Sequence, residues 1–182
     1  MQFETTTVAG LILITPELSV DDRGLFAKTF AADEFATYGL CQSFNQSALS
    51  YNPLKGTLRG LHYQVDPFQE VKLVRCARGA IYDVVLDLRP QSETYKQWFS
   101  LVLTVENRKM LYVPEGCAHG FLTLKDESEV FYQIKGEYDL PSTRVVRWND
   151  PAFAITWPIE PAIMAQRDSA SPLHSEETGE TV

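Results

Sequence analysis

Cysteine is scarce in this chain and arranged without pattern: Cys41, Cys76 and Cys117 are odd in number, and none stands in a CxxC spacing. Neither a disulfide scaffold nor a zinc ribbon is expected from that set. Histidine is equally rare, with His62, His119 and His174 alone. No apolar run approaches the ~20 residues of a membrane span, and no basic segment precedes the apolar stretch that follows MQFETTTVAG. Basic residues are the minority, 16 Lys and Arg against 24 Asp and Glu, for a net charge of −8. A general nucleic-acid binder needs a basic face, so nucleic acid is not an expected partner. The chain reads as soluble and cytoplasmic, with no membrane partner. Gly/Ser linkers and internal repeats are also missing, and 182 residues suit one domain with a real core.

What the chain has is period-two patterning. VKLVRC (71–76), AIYDVVLDL (80–88), WFSLVLTV (98–105) and KMLYVP (109–114) are apolar and β-branched runs separated by turn-forming residues. GFLTLKD (120–126), EVFYQIKGEY (129–138) and TRVVRW (143–148) continue the series. Short strands at regular spacing predict a mainly β sandwich or barrel; a parallel α/β fold would need helical stretches between them. ADEFATYGL (32–40) is the one short helix expected. SEETGETV (175–182) is polar and acidic, and reads as a solvated, frayed end.

Few residues are candidates for chemistry. His62 lies in KGTLRGLHYQ and His119 in VPEGCAHGF, each beside a strand-like run. Two histidines on neighbouring barrel strands invite a metal reading, but the position two residues after His62 is Gln64, a poor ligand, and Asp66 and Glu70 do not clearly compensate. His119 is either a hydrogen-bonded histidine behind a pocket or a direct substrate contact. Arg59 precedes His62 by three and Lys72 follows it by ten. Cations beside an imidazole favour its neutral, basic form, and the same cations can hold a phosphate or a developing oxyanion. Surface charge is the alternative. Strand alternation would set Arg59 and His62 on opposite faces, so a bulge at Gly60 is expected to re-aim one of them. Tyr132 and Tyr138, six apart, are read onto one strand face as a core pair, or as an acid and a stacking platform. Cys76 and Cys117 are read as buried small hydrophobes. His174 is read as incidental.

Taken together, DDRGLFAKTF (21–30), KGTLRGLHYQ (55–64), VKLVRCARGAIYDVVLDLR (71–89), NRKMLYVPEGCAHGFLTL (107–124), EVFYQIKGEY (129–138), RWNDPAFAITWP (147–158) and the QRD of 166–168 resemble the dTDP-4-dehydrorhamnose 3,5-epimerase family. The resemblance covers most of residues 20–168. It implies a cupin-like jelly roll with a few short helices, spanning 1–168 as a single epimerase domain, with 169–182 as an acidic tail. It also implies an isomerase that inverts C3 and/or C5 of a nucleotide-diphosphate 4-keto-6-deoxyhexose, in deoxysugar or surface-polysaccharide synthesis. His62 would be the base, Asp168 its carboxylate partner and Tyr132 the general acid. Lys72 and His119 would surround the sugar and its enolate, while Arg23, Arg59 and Arg167 would serve the diphosphate and substrate. Tyr138 would stack on the base and Phe26 line the pocket. The family's members are homodimers that exchange N-terminal segments, so Arg23, Phe26 and Lys28 would serve the partner's site.

The implied chemistry calls for no cofactor and no metal. A hydrogen at C3 or C5 is acidic because it lies α to the C4 ketone, so a base and a cation for the enolate suffice. Three pocket positions depart from the family's pattern: Lys28 and Thr143 stand where glutamates are usual, and Gln46-Ser47-Ala48 lacks the asparagine of Q-x-N. Lysine cannot accept from the thymine N–H but can donate to cytosine N3, which raises CDP as an alternative to dTDP. Two further classes remain as rivals: a non-catalytic sugar-nucleotide-binding cupin and a metal-dependent cupin enzyme.

Overall fold

Alternate side chains of Val71–Arg78 (β7) divide between two environments, as the two-residue period of a strand requires. Val74 and Cys76 enter one apolar cluster, while Val71 and Leu73 enter another on the far face. The computed structural model describes residues 1–174. It arranges them as two facing antiparallel sheets with a small hairpin beside them.

The first sheet has six strands. Gln2–Thr5 (β1), Ile12–Thr15 (β2), Met110–Val113 (β10), β7, Ser128–Lys135 (β12) and Gln46–Asn52 (β5) follow one another in space in that order. The second has five: Thr143–Val145 (β13), Leu58–Gln64 (β6), Cys117–Thr123 (β11), Ala80–Asp87 (β8) and Trp98–Thr104 (β9). Ser19–Asp21 (β3) and Gly24–Phe26 (β4) form the separate hairpin. This is the β sandwich expected of the pattern, in the jelly-roll form that the family resemblance implies. Val74, Leu111 and Val130 of the first sheet meet Ile81, Val85, Leu103 and Phe121 of the second, closing the barrel with a dry floor. Cys76 and Cys117 sit in that floor, where burial pushes their thiols up to about 11 and about 12. They behave as small hydrophobes there.

Two further clusters cover the outer faces. Ala32–Thr37 (α1) inserts the fully buried Phe35 against Ile14, Leu73, Met110 and Tyr112, with Phe30 and Phe44 edge-on to its ring. Phe153 and Val146 pack on Leu61, Val84 and Leu86 of the second sheet.

Some boundaries differ from the sequence reading. The strand expected over 129–138 stops at Lys135, because Gly136 adopts φ +140°, outside the range of a strand. Tyr138 therefore lies on a loop and not on the strand of Tyr132. In the run 143–148 the strand covers only Thr143–Val145, though Val146 still exchanges backbone hydrogen bonds with Leu61. The strand carrying His119 begins earlier than expected, at Cys117. Residues 169–174 belong to the body: Ser171 Oγ donates to the Arg167 carbonyl, the His174 N–H donates to Asp150 Oδ2, and the His174 ring lies 5.1 Å from Phe153. His174 is thus a packed residue, and the remainder of the expected tail, 175–182, lies outside the described residues.

Candidate active site

The centre of the site is a defect in β6. Its pairing with β11 joins His62 to His119 and Arg59 to Phe121, so three steps on one strand oppose two on the other. This is the bulge expected at Gly60. Gly60 has φ +120°, and a Cβ there would lie 2.6 Å from Gly120 Cα and 2.8 Å from the His119 carbonyl. Only glycine fits that crossing. The extra residue turns both Arg59 and His62 toward one cavity of about 280 Å³.

Two sheets furnish opposite walls of that cavity. The five-stranded sheet supplies Arg59, His62, His119 and, at its edge, Thr143. Lys72 on β7 and Tyr132 on β12 come from the six-stranded sheet. Tyr138 stands at the mouth on its loop, and Arg167 enters from the short helix Gln166–Ser169 (α2).

His62 Nε2 lies 2.8 Å from Asp168 Oδ1, and the other carboxylate oxygen accepts from the Gly60 N–H at 3.2 Å. Burial alone would raise the Asp168 carboxyl, but His62, the Gly60 N–H and the nearby Arg167 together hold it below its ordinary value. Arg167 Nε is 3.4 Å from Asp168 Oδ1 and its Nη2 is 3.5 Å from His62 Nε2. With Nε2 engaged by the carboxylate, Nδ1 is left as the nitrogen for proton transfer.

Lys72 is buried; its Nζ donates to the His62 carbonyl at 3.4 Å and lies equally far from Glu70 Oε2. Burial pushes its ammonium down, opposed by the charges of Glu70 and Asp83. Burial pushes the Tyr132 phenol well up, and the Asp83 charge adds to that, so it stays protonated through the neutral range. His119 is a hydrogen-bonded histidine, as one of its sequence readings had it, and it also lines the cavity. Its Nε2 is 3.0 Å from each oxygen of the fully buried Asp83, and its ring lines the cavity edge-on to Tyr132 at 5.9 Å. Arg59 is oriented from behind, Nε donating to Asn52 Oδ1 at 2.7 Å.

Sequence reasoning missed Asp83 and Asn52 and considered Glu70 only as a metal ligand. Asp83 had a signal: a lone acid inside the apolar run AIYDVVLDL needs a buried partner. Among the described residues, no three His, Cys, Asp or Glu side chains gather as a metal-holding group.

Four expected residues lie elsewhere. The Arg23 guanidinium is exposed and pairs with Asp21, and Phe26 is 71% exposed on the β3–β4 hairpin. Lys28 pairs with Glu34 at 3.1 Å, and with Phe26 it borders a different concavity of about 610 Å³ that includes Met1 and Glu17. Gln46 does not line the cavity that holds His62; its Nε2 donates to the Gly136 carbonyl at 2.6 Å, and Ala48 and Ser50 form the β5 wall. Among the described residues, no helix is long and apolar enough to cross a membrane.

Residues 5–176 match the family model described as dTDP-4-dehydrorhamnose 3,5-epimerase. A curated protein of that name from Sinorhizobium fredii is 39% identical over 173 residues, covering 94% of this chain and 89% of the relative. Another, from Methanothermobacter thermautotrophicus, is 43% identical over 159 residues, covering 87% of this chain and 85% of its own. The crystal structure of dTDP-4-dehydrorhamnose 3,5-epimerase from Bacillus anthracis with TDP and PPi bound superposes with a TM-score of 0.91 at 39% identity, over 94% of this chain and 98% of that one. With fold and sequence in agreement over nearly its whole length, the chain belongs to the dTDP-4-dehydrorhamnose 3,5-epimerase family.

Proposed function

We propose that the protein is an isomerase that inverts C3, C5 or both in a nucleoside-diphosphate-linked 4-keto-6-deoxyhexose, in deoxysugar biosynthesis. One observation carries this reading: a carboxylate-backed imidazole, His62 with Asp168, and a protonated phenol, Tyr132, face one cavity from opposite sheets. Inversion by deprotonation and reprotonation needs a base and an acid on opposite faces of the carbon.

His62 Nδ1 takes the hydrogen α to the C4 ketone, and the C–H electrons move into an enolate. Asp168 stabilises the imidazolium that results. The Lys72 ammonium holds the enolate oxygen, with His119 beside it. Tyr132 then delivers its proton to the other face, and exchange with water resets the imidazolium and the phenolate. Arg59 and Arg167 hold the diphosphate, Thr143 contacts the substrate and Tyr138 stacks on the nucleobase. Thymine is the leading base, as the dTDP in the names of the relatives suggests. CDP is second, because the Lys28 ammonium that suggested it is already paired with Glu34. Calorimetry with both nucleotides separates them, and tighter dTDP binding removes CDP.

In D₂O, substrate should gain deuterium at C3, C5 or both, and His62→Ala should abolish that exchange. Exchange at the wild-type rate in the variant would sink the assignment. The same experiment reports the regiochemistry.

The protein acts as a homodimer in which the β3–β4 hairpin carries Arg23, Phe26 and Lys28 to the partner's cavity. The hairpin supports this reading, since Val20 and Phe26 are each 71% exposed and need cover. Mixing inactive His62→Ala with inactive Arg23→Ala protomers should restore about a quarter of wild-type activity, because half the dimers are mixed and each has one intact site. Absence of recovery would exclude the exchange.

A further inference from the structure

We infer that Gln64, with Gln46 and Asn45, positions the nucleobase platform by clamping the backbone on both sides of Tyr138. The inference rests on the nucleotide-sugar reading of the cavity. Gln64 is 3% exposed, and all of its amide is engaged. Its Nε2 donates to the Phe68 carbonyl at 2.7 Å and to the Glu137 carbonyl at 2.8 Å, while its Oε1 accepts from the Asp139 N–H at 2.7 Å. One side chain therefore ties the turn after β6 to residues 137 and 139, the two neighbours of Tyr138. It stands two residues beyond His62, where a metal-binding barrel would place a ligand, but here it serves the loop.

The other end of the loop is held from β5. Gly136 donates to Asn45 Oδ1 at 3.0 Å, and its carbonyl accepts from Asn45 Nδ2 at 2.9 Å and from Gln46 Nε2 at 2.6 Å. Asp139 is further fixed by the Ser142 N–H on Oδ2 and by Thr143 Oγ1 on its carbonyl. Residues 136, 137 and 139 are thus held, whereas Tyr138 takes part in none of these bonds and is 62% exposed at the cavity mouth. A loop that must follow β12 at a positive-φ glycine has no ladder to define it, so the side-chain amides define it instead. The aromatic face is presented already oriented, which spares the ligand the cost of ordering it.

Calorimetry with dTDP, CDP and pyrophosphate on wild type, Tyr138→Ala, Gln64→Met and the double variant tests this. For the nucleotide that wild type prefers, Tyr138→Ala should weaken binding about tenfold, as loss of one stacked aromatic does. Gln64→Met should weaken it by a similar factor, leave pyrophosphate binding unchanged, and raise KM more than it lowers kcat. In the Tyr138→Ala background the Gln64 change should have no further effect, since it acts through the ring. An unchanged nucleotide Kd in Gln64→Met, an equal loss for pyrophosphate, or the full loss repeated in the double variant would each overturn the clamp. Gln46→Leu removes a strut nearer the surface and gives the same test if Gln64→Met does not fold. The nucleotide reading itself fails differently: wild type then binds neither nucleotide, or Tyr138→Ala changes nothing.

Discussion

His62 and Asp168 stand 106 residues apart in the chain and 2.8 Å apart in the fold. The carboxylate that fixes the imidazole also accepts from the backbone of Gly60, the residue whose bulge aims that imidazole. Orientation of the imidazole and of the bulge that aims it therefore share one anchor.

Asp168→Asn should keep the shape of this contact and lose its charge. Without the carboxylate the imidazolium is no longer stabilised, and kcat should fall by about 10²–10⁴. Steady-state kinetics check this, with circular dichroism showing that the fold is retained.

Tyr132→Phe should separate the two half-reactions. Its phenol is a donor held protonated by burial, and His62 remains to abstract the proton. Deuterium exchange should persist while epimer formation drops by about 10²-fold or more. Equal loss of both would place Tyr132 in the first step as well.

Glu70→Gln should move the alkaline limb of the kcat/KM profile to lower pH. In the proposed mechanism Lys72 acts as its ammonium, and burial already pushes that ammonium toward losing its proton. Glu70, and less directly Asp83, oppose the loss, so removing the Glu70 charge lets it occur earlier as pH rises. A pH–rate profile of the two proteins reads the shift.

Asp87→Asn should destabilise the fold by about 3 kcal/mol at neutral pH, as breaking a buried ion pair does. Asp87 is fully buried, and although burial would raise its carboxyl, Arg89, Ser92 and Thr94 hold it well below its ordinary value. A depressed carboxyl contributes stability that is complete above about pH 3.9, its unfolded value, and is lost as pH falls through the folded one. Urea unfolding should therefore show the gap between wild type and variant closing under acid, whereas a purely steric defect would leave the gap constant with pH.

The strands from Val71 to Lys135 were legible because long alternating runs repeat there between turn residues. Gln2–Thr5, Ile12–Thr15 and the β3–β4 hairpin were not, since three or four residues carry too little pattern to state a period. The bulge at Gly60 could be read, because alternation put Arg59 and His62 on the wrong faces. Asp168 could not be read from local sequence; it became visible through the family resemblance. Tyr138 shows the opposite limit. Even spacing suggested one strand with Tyr132, but Gly136 ends the pairing, and the ring reaches the cavity by a loop whose side-chain restraints no period encodes.

Because the proposed base, His62, belongs to one sheet and the proposed acid, Tyr132, to the other, the gap between them is the thickness of a hydrophobic layer. Facing sheets stand about 10 Å apart, a distance set by the side chains between them. Val74, Val130 and Val85, which do not line the cavity, are therefore a calliper for the proposed reaction. A change in their volume alters how well a proton removed from one face is matched by one returned to the other, and stereochemical fidelity becomes a property of core packing.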